Sequence, residues 1–200
     1  VRRRLHQRPQ PGPGGHHVGL GELLLERRVH AVEEVAHVVG RAAGVVERAD
    51  GSLWCFTRTD RGRQYGMTST DGGETWSDPA PTELKSPLAP ASVERIPGTD
   101  DLLAVWCEYA PGEPIAQGHG NRTPLMPAIS ADGGKTWPVR RALEDDPEGA
   151  YGYTAIHFIG DHVLMAYCAG DPKHVGLDAI RIRKIAMGWF SDEGRPSPLR

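Results

Sequence analysis

From about Gly44 onward, apolar and polar residues alternate in short runs, a period of two that predicts β-strands. Asp-Gly and Gly-Asp pairs separate the runs, which argues for antiparallel strands joined by tight turns. Three groups result. The first, about 44–83, reads GVVERADG, SLWCFTRTD, RQYGMTST and ETWSDP. The second, about 84–143, reads ASVERIPGTDD, LLAVWCEY, RTPLMPAIS and KTWPVRRA. The third, 144–200, reads YTAIHFIGDH, HVLMAYCAG and LDAIRIRKIAM, its last run ending at Trp189. The proline-rich stretches 79–90 and 111–127 are expected as loops between and within these groups.

One motif occurs twice, 61 positions apart: Ser69-Thr-Asp-Gly-Gly-Glu-Thr-Trp76 and Ser130-Ala-Asp-Gly-Gly-Lys-Thr-Trp137. Both read S-x-D-G-G-x-T-W. Ser and Asp side chains can bond the amides of their own turn, and paired glycines allow positive φ. The Trp then supplies a large apolar ring where the chain re-enters the sheet. Asp71 and Asp132 are therefore expected to be turn carboxylates, not catalysts. A sheet repeated at this period argues for radial repetition, a β-propeller.

Residues 1–43 follow different rules. From Val1 to Arg48 there is no Ser, Thr, Asn, Ile, Lys, Phe, Tyr or Trp. Positions 1–19 read as disordered, whereas Leu24, Val32, Val35, Val38 and Val39 have roughly helical spacing. The narrow alphabet draws on GC-rich codons, and fits either an out-of-frame translation or a genuine low-complexity extension. His16, His17, His30 and His37 lie in this stretch without a convergent ligand set, so no metal site is expected. The chain begins with Val, as a processed product or a piece of a longer protein would.

A net charge of -3 gives no electrostatic case for nucleic acid. No apolar run reaches the ~18 residues of a membrane span. Cys55, Cys107 and Cys168 lack metal-ligand spacing and lie in strand-like runs, where buried free thiols are expected. Nothing in the sequence sets the compartment.

The two turns resemble the Asp-box of sialidases, S-x-D-x-G-x-x-W, carried here by Ser69, Asp71, Gly73, Trp76 and by Ser130, Asp132, Gly134, Trp137. The likeness covers about 44–190. It implies an all-β, six-bladed propeller of which this chain holds about three blades, 44–83, 84–143 and 144–200, beside the atypical segment 1–43. The run Ala42-Ala-Gly-Val-Val-Glu-Arg-Ala-Asp-Gly-Ser-Leu-Trp-Cys-Phe-Thr-Arg58 resembles a sialidase stretch of the form E-P-x-V-V-E-x-x-D-G-x-L-x-x-x-x-R. Its final Arg belongs, in that family, to a triad that grips the sialic-acid carboxylate. Arg58 takes that place, and Arg122 in NRTPLMPAIS takes a second. A planar fork suits bidentate binding of a carboxylate. The alternatives are a solvated strand-end arginine for Arg58 and a salt bridge between blades for Arg122.

The sialidase nucleophile is a Tyr. The anomeric carbon already bears a carboxylate, and a neutral phenol approaches it with less repulsion than Asp or Glu would. Tyr153, in Tyr153-Thr-Ala-Ile156, fits the position, against the plainer reading of a half-buried strand Tyr. Tyr151 is its near neighbour, and Tyr167 is expected in the core. The Glu that would activate the phenol opens the family stretch, where this chain has Ala42. Glu47 is the second, structural Glu of that pattern. The general-acid Asp and the third Arg come from other blades, and Arg95-Ile-Pro97 mimics a sialidase motif in the wrong blade.

The resemblance thus implies part of an exo-α-sialidase acting on a sialylated or other acidic glycan, without cofactor. The chain itself is expected to be inactive or incomplete. Two rivals stand beside it. One is a non-catalytic propeller that binds glycans or proteins. The other is a hydrolase for a different acidic sugar using Asp145, Asp146 or Glu148, though EDDPEG also reads as a solvated loop.

Overall fold

The computed structural model describes residues 42–108, 122–171 and 174–191. The readings made for 1–41, a disordered stretch, a helix and the histidines, lie outside the described residues. Ten strands form three antiparallel sheets. Sheet one runs β1 (Ala43–Glu47), β2 (Leu53–Thr57), β3 (Arg63–Ser69), β4 (Ala80–Lys85) in that spatial order. Sheet two holds β5 (Ser92–Arg95), β6 (Leu102–Cys107) and β7 (Leu125–Ser130), and sheet three β8 (Ala150–Ile159), β9 (His162–Asp171) and β10 (His174–Ala186). The first strands touch, β1 against β5 and β5 against β8, so the sheets succeed one another around a common side. A short 3-10 turn, Met187–Phe190, follows β10 and buries Phe190. Among the described residues no helix is long and apolar enough to cross a membrane.

β6 shows how the sequence holds the sheets together. All six residues of its Leu-Leu-Ala-Val-Trp-Cys run are buried. Alternation sends Leu102, Ala104 and Trp106 to one side, where they meet Val46, Trp54 and Phe56 of sheet one. It sends Leu103, Val105 and Cys107 to the other, where they meet Met165 and Tyr167 of sheet three. A continuous apolar run is what a strand buried on both faces requires.

Two expected loops prove partly ordered. β4 lies inside the stretch 79–90 expected as a loop, and the strand expected at ETWSDP begins only at Ala80. Pro79 delays the strand, and Pro81 is tolerated because β4 is an edge. β7 likewise enters the stretch 111–127. Its Pro127 pairs with Val105, and the Leu125 amide points away from β6 to the Glu144 carbonyl, 2.9 Å away. Two residues on, the Pro127 nitrogen points the same way, so β6 loses no bond. KTWPVRRA forms no full strand. Only Arg140 of that run, after Pro138, bridges Ala128, and Glu144, two residues beyond it, bridges Leu125.

The cysteines form no disulfide; Cys55 and Cys107 are buried, and Cys168 is half-buried on an outer face. Burial pushes the Cys107 thiol up to about 12.

Candidate functional site

The two repeated turns share one bonding scheme. Ser69 Oγ donates to Asp71 Oδ1 at 2.8 Å, and that oxygen accepts the Thr75 amide at 2.7 Å. Ser130 donates to Asp132 at 2.7 Å, and Asp132 accepts the Thr136 amide at 2.9 Å. Thr75 and Thr136 close each turn with hydroxyl bonds to the second oxygen, at 2.5 and 2.6 Å. The bonds from Thr75 hold Asp71 down to about 2. Desolvation acts to raise Asp132, but the bonds from Thr136 and Ser130 outweigh it and hold it at about 2. Such carboxylates stay ionised and occupied, unsuited to proton transfer near neutrality.

The turns diverge in what they pack against. Trp76 is half-exposed and donates Nε1–H to Gly73 O at 3.1 Å. Trp137 is buried beside Trp106, ring centroids 6.3 Å apart. Gly134 sits so close to Trp54 that a Cβ would lie 2.9 Å from the ring, so the second turn wedges against sheet one.

At the other end of the sheets lie the residues with candidate chemistry. Arg58 follows β2, Arg122 precedes β7, and Tyr153 lies near the start of β8, positions that the antiparallel order brings to one end. The Arg122 guanidinium lies over the Tyr153 ring, 5.4 Å from its centroid. Hydrogen bonding from Arg122, then from Arg58, holds the Tyr153 phenol below its ordinary value. Tyr153 as a whole is 51 % exposed. Arg122 Nη1 and Arg58 Nε are buried and lack a protein partner, two donors left for an anion.

Local backbone geometry sets this cluster up. Tyr153 has φ 57, in the left-handed region that costs a non-glycine residue roughly 1 kcal/mol or more. A bulge between Gly152 and Ala155 in the β8–β9 pairing accompanies it and turns the ring out of the sheet. A Cβ on Gly152 would meet Arg122 Nη1 at 3.2 Å, so the missing side chain leaves room for the guanidinium. The Tyr151 amide donates to Arg122 O at 3.1 Å, tying the two segments together.

Ala42 stands across from Arg58, its carbonyl accepting the Arg58 amide at 3.4 Å. The place where the sialidase pattern has Glu is thus next to the arginine, and holds no carboxylate. Glu47 is exposed at the far end of β1. Asp145, Asp146 and Glu148 lie on an exposed loop beside Arg122, held through Thr123 Oγ1 to Asp146 O at 2.8 Å.

Tyr167 is buried and donates to Glu144, a contact the sequence pattern did not reveal. Glu144 also accepts Arg181 Nη1 at 2.7 Å and Arg183 Nη2 at 2.8 Å. Burial and the Glu144 carboxylate push Tyr167 up to about 12. The readable signal was the Arg-x-Arg of β10, whose period of two puts both guanidiniums on one face. Among the described residues no cluster of His, Cys, Asp and Glu could hold a metal.

The BNR repeat-like domain family matches residues 30–165. No curated protein matches the chain. Among solved structures, the leech intramolecular trans-sialidase aligns over 76 % of this chain and 24 % of its own, at 23 % identity and TM-score 0.58. The Ruminococcus gnavus intramolecular trans-sialidase, in complex with oseltamivir carboxylate, aligns over 78 % of this chain and 34 % of its own, at 23 % identity and TM-score 0.55. An α-L-arabinofuranosidase, Arb93A of Fusarium graminearum, aligns over 72 % and 44 %, at 14 % identity and TM-score 0.50. The chain therefore spans less than half the length of each of these proteins. At these identities the likeness is one of fold: all-β, built of antiparallel sheets as in the sialidase propellers.

Proposed function

As the chain belongs to the BNR repeat-like domain family and has a sialidase-like propeller fold, we propose that it carries part of a sialidase-type glycoside hydrolase site for a terminal acidic sugar. The observation that carries the reading is the convergence of Arg58 and Arg122 on Tyr153, with a buried donor free on each arginine. In this reading the two forks take the sugar carboxylate. That charge would otherwise be repelled by an anionic nucleophile, and the phenol meets it as a neutral group. The guanidiniums lower the cost of forming phenolate at Tyr153, the direction a tyrosine nucleophile needs.

The same geometry argues against turnover by this chain. Ala42 offers no base beside Arg58, and positioned proton transfer contributes about 10²–10⁴-fold per group. Binding without hydrolysis is therefore expected. Calorimetry with 3'-sialyllactose should show binding that Arg122→Ala weakens at least tenfold, while a fluorogenic sialoside is not cleaved. No binding at millimolar sugar would sink the reading. Cleavage that Tyr153→Phe abolishes would keep the site and overturn the inactivity.

A second reading is favoured by the same Ala42: a glycan-binding propeller that uses the arginines and ignores the phenol. It requires Tyr153→Phe to bind as the parent does. Fold likeness to an arabinofuranosidase bears on this choice, since one scaffold serves enzymes on unlike sugars.

A further inference from the structure

At the turn end of the sheets, away from the Tyr153 cluster, sheet one and the second repeated turn border a groove of about 370 Å³. That lies within the roughly 300–1,000 Å³ usual for small-ligand sites. Arg48, Trp54, Thr68 and Thr82 line it from one side, Gly134 and Lys135 from the other.

The wall is built around Trp54. A Cβ on Gly66 would lie 2.4 Å from the indole Nε1, and one on Gly134 2.9 Å from the ring. The two absent side chains leave the indole edge bordering the groove, its N–H without a hydrogen bond among the described residues. Arg48 lies over the same ring, 5.2 Å from its centroid, and gives Nη1–H to Thr68 Oγ1 at 3.2 Å. Its Nε is buried without a protein partner. Burial acts against the Arg48 charge, and the Asp50 carboxylate only partly offsets this. Lys135 is exposed, and neither cation has an ion pair among the described residues.

The nearby carboxylates serve elsewhere. Glu83 borders the groove, but alternation along β4 turns Thr82 and the buried Leu84 to this side and Glu83 to the opposite face. Asp50, Asp100 and Asp132 line a neighbouring cleft of about 290 Å³, where they oppose the same two cations, and Asp132 is bound within its own turn. In the larger groove Arg48 and Lys135 have no such opposition. We propose that this groove is a second binding site, separate from the Tyr153 cluster, for a small oxyanion: free sulfate or phosphate, or the carboxylate of an acidic sugar. The anion supplies the countercharge that Arg48 and Lys135 lack, and accepts the Trp54 Nε1–H.

In proton–nitrogen NMR of the 200-residue chain, the assigned Trp54 indole signal should shift saturably with sodium sulfate, at a midpoint of roughly 1–10 mM. Sodium chloride of equal ionic strength should not reproduce the shift. Lys135→Ala, at an exposed turn position, should raise the midpoint about threefold, and Lys135→Arg should keep it. Arg122→Ala should leave it unchanged, since Arg122 belongs to the cluster at the other end. Glucuronate should move the same signal at a lower midpoint than sulfate if the anion is carried on a sugar, and at a higher one or not at all if it is a free ion. Glucose should leave the signal in place. A Trp54 signal that ignores both anions, follows chloride equally, is indifferent to Lys135→Ala, or loses its response in Arg122→Ala would overturn the second site.

Discussion

Among single residues, Tyr153 departs furthest from its neighbours. Its φ of 57, its exposure and its two guanidinium neighbours are separate departures from what a strand Tyr needs. In the function proposed above, all three serve to present the phenol to a ligand. In a spectrophotometric titration Tyr153 should ionise first, below the ordinary value of 10.0, while burial holds back Tyr151 and Tyr167. Arg122→Ala should move that first step upward, and Tyr153→Phe should remove it; an unchanged first step in Tyr153→Phe would refute the assignment. Glu144 gives a second residue-scale test. Removing it strands the Tyr167 hydroxyl and leaves Arg181 and Arg183 without the carboxylate they share. Both arginines are partly exposed, so solvent softens the loss, and Glu144→Ala should cost about 2 kcal/mol in a urea titration. A change within about 0.5 kcal/mol, the size of an ordinary surface substitution, would contradict the network.

At the scale of elements, the repeated turns show identical local chemistry put to different uses. Both aspartates have folded values of about 2 against an ordinary 3.8. A lowered value means that their contribution is complete above about pH 4 and is lost as pH falls from 3.8 toward 2. The thermal midpoint should therefore drop over that window, and Asp71→Asn with Asp132→Asn should flatten the drop. A midpoint curve with the same slope in the double variant would count against the turns. Packing separates the two copies: Gly134→Ala forces a methyl into Trp54, whereas Gly73→Ala, also at positive φ, meets nothing closer than 3.5 Å. The second substitution should be the milder by about 1 kcal/mol or more. The motif spells the turn alike in both places, and says nothing about the ring across from it.

For the whole molecule, β6 is the shared wall of two cores, so the sheets should unfold together. Calorimetry should show one transition, and Trp106→Ala, at a fully buried position, should lower its stability by about 3–5 kcal/mol without splitting it. Two separated transitions in the parent chain would mean that the sheets are independent.

Much of this was legible in the sequence because strands and tight turns are local. A period of two, Asp-Gly pairs and the repeated S-x-D-G-G-x-T-W are decided within about ten residues, and they set the strand order and the all-β class. Proline misled where edge pairing tolerated it, at Pro81 and Pro127, since the sequence does not say which strand is an edge or which way an amide points. The likeness to sialidases led to Arg58, Arg122 and Tyr153 one at a time. Only the tertiary structure set them against one another, bent the backbone at Tyr153, left two guanidinium donors buried and unmatched, and gave Tyr167 to Glu144 instead of to a ligand. Those outcomes depend on residues 23 to 95 positions apart meeting in space, and distance in space is not encoded by distance along the chain.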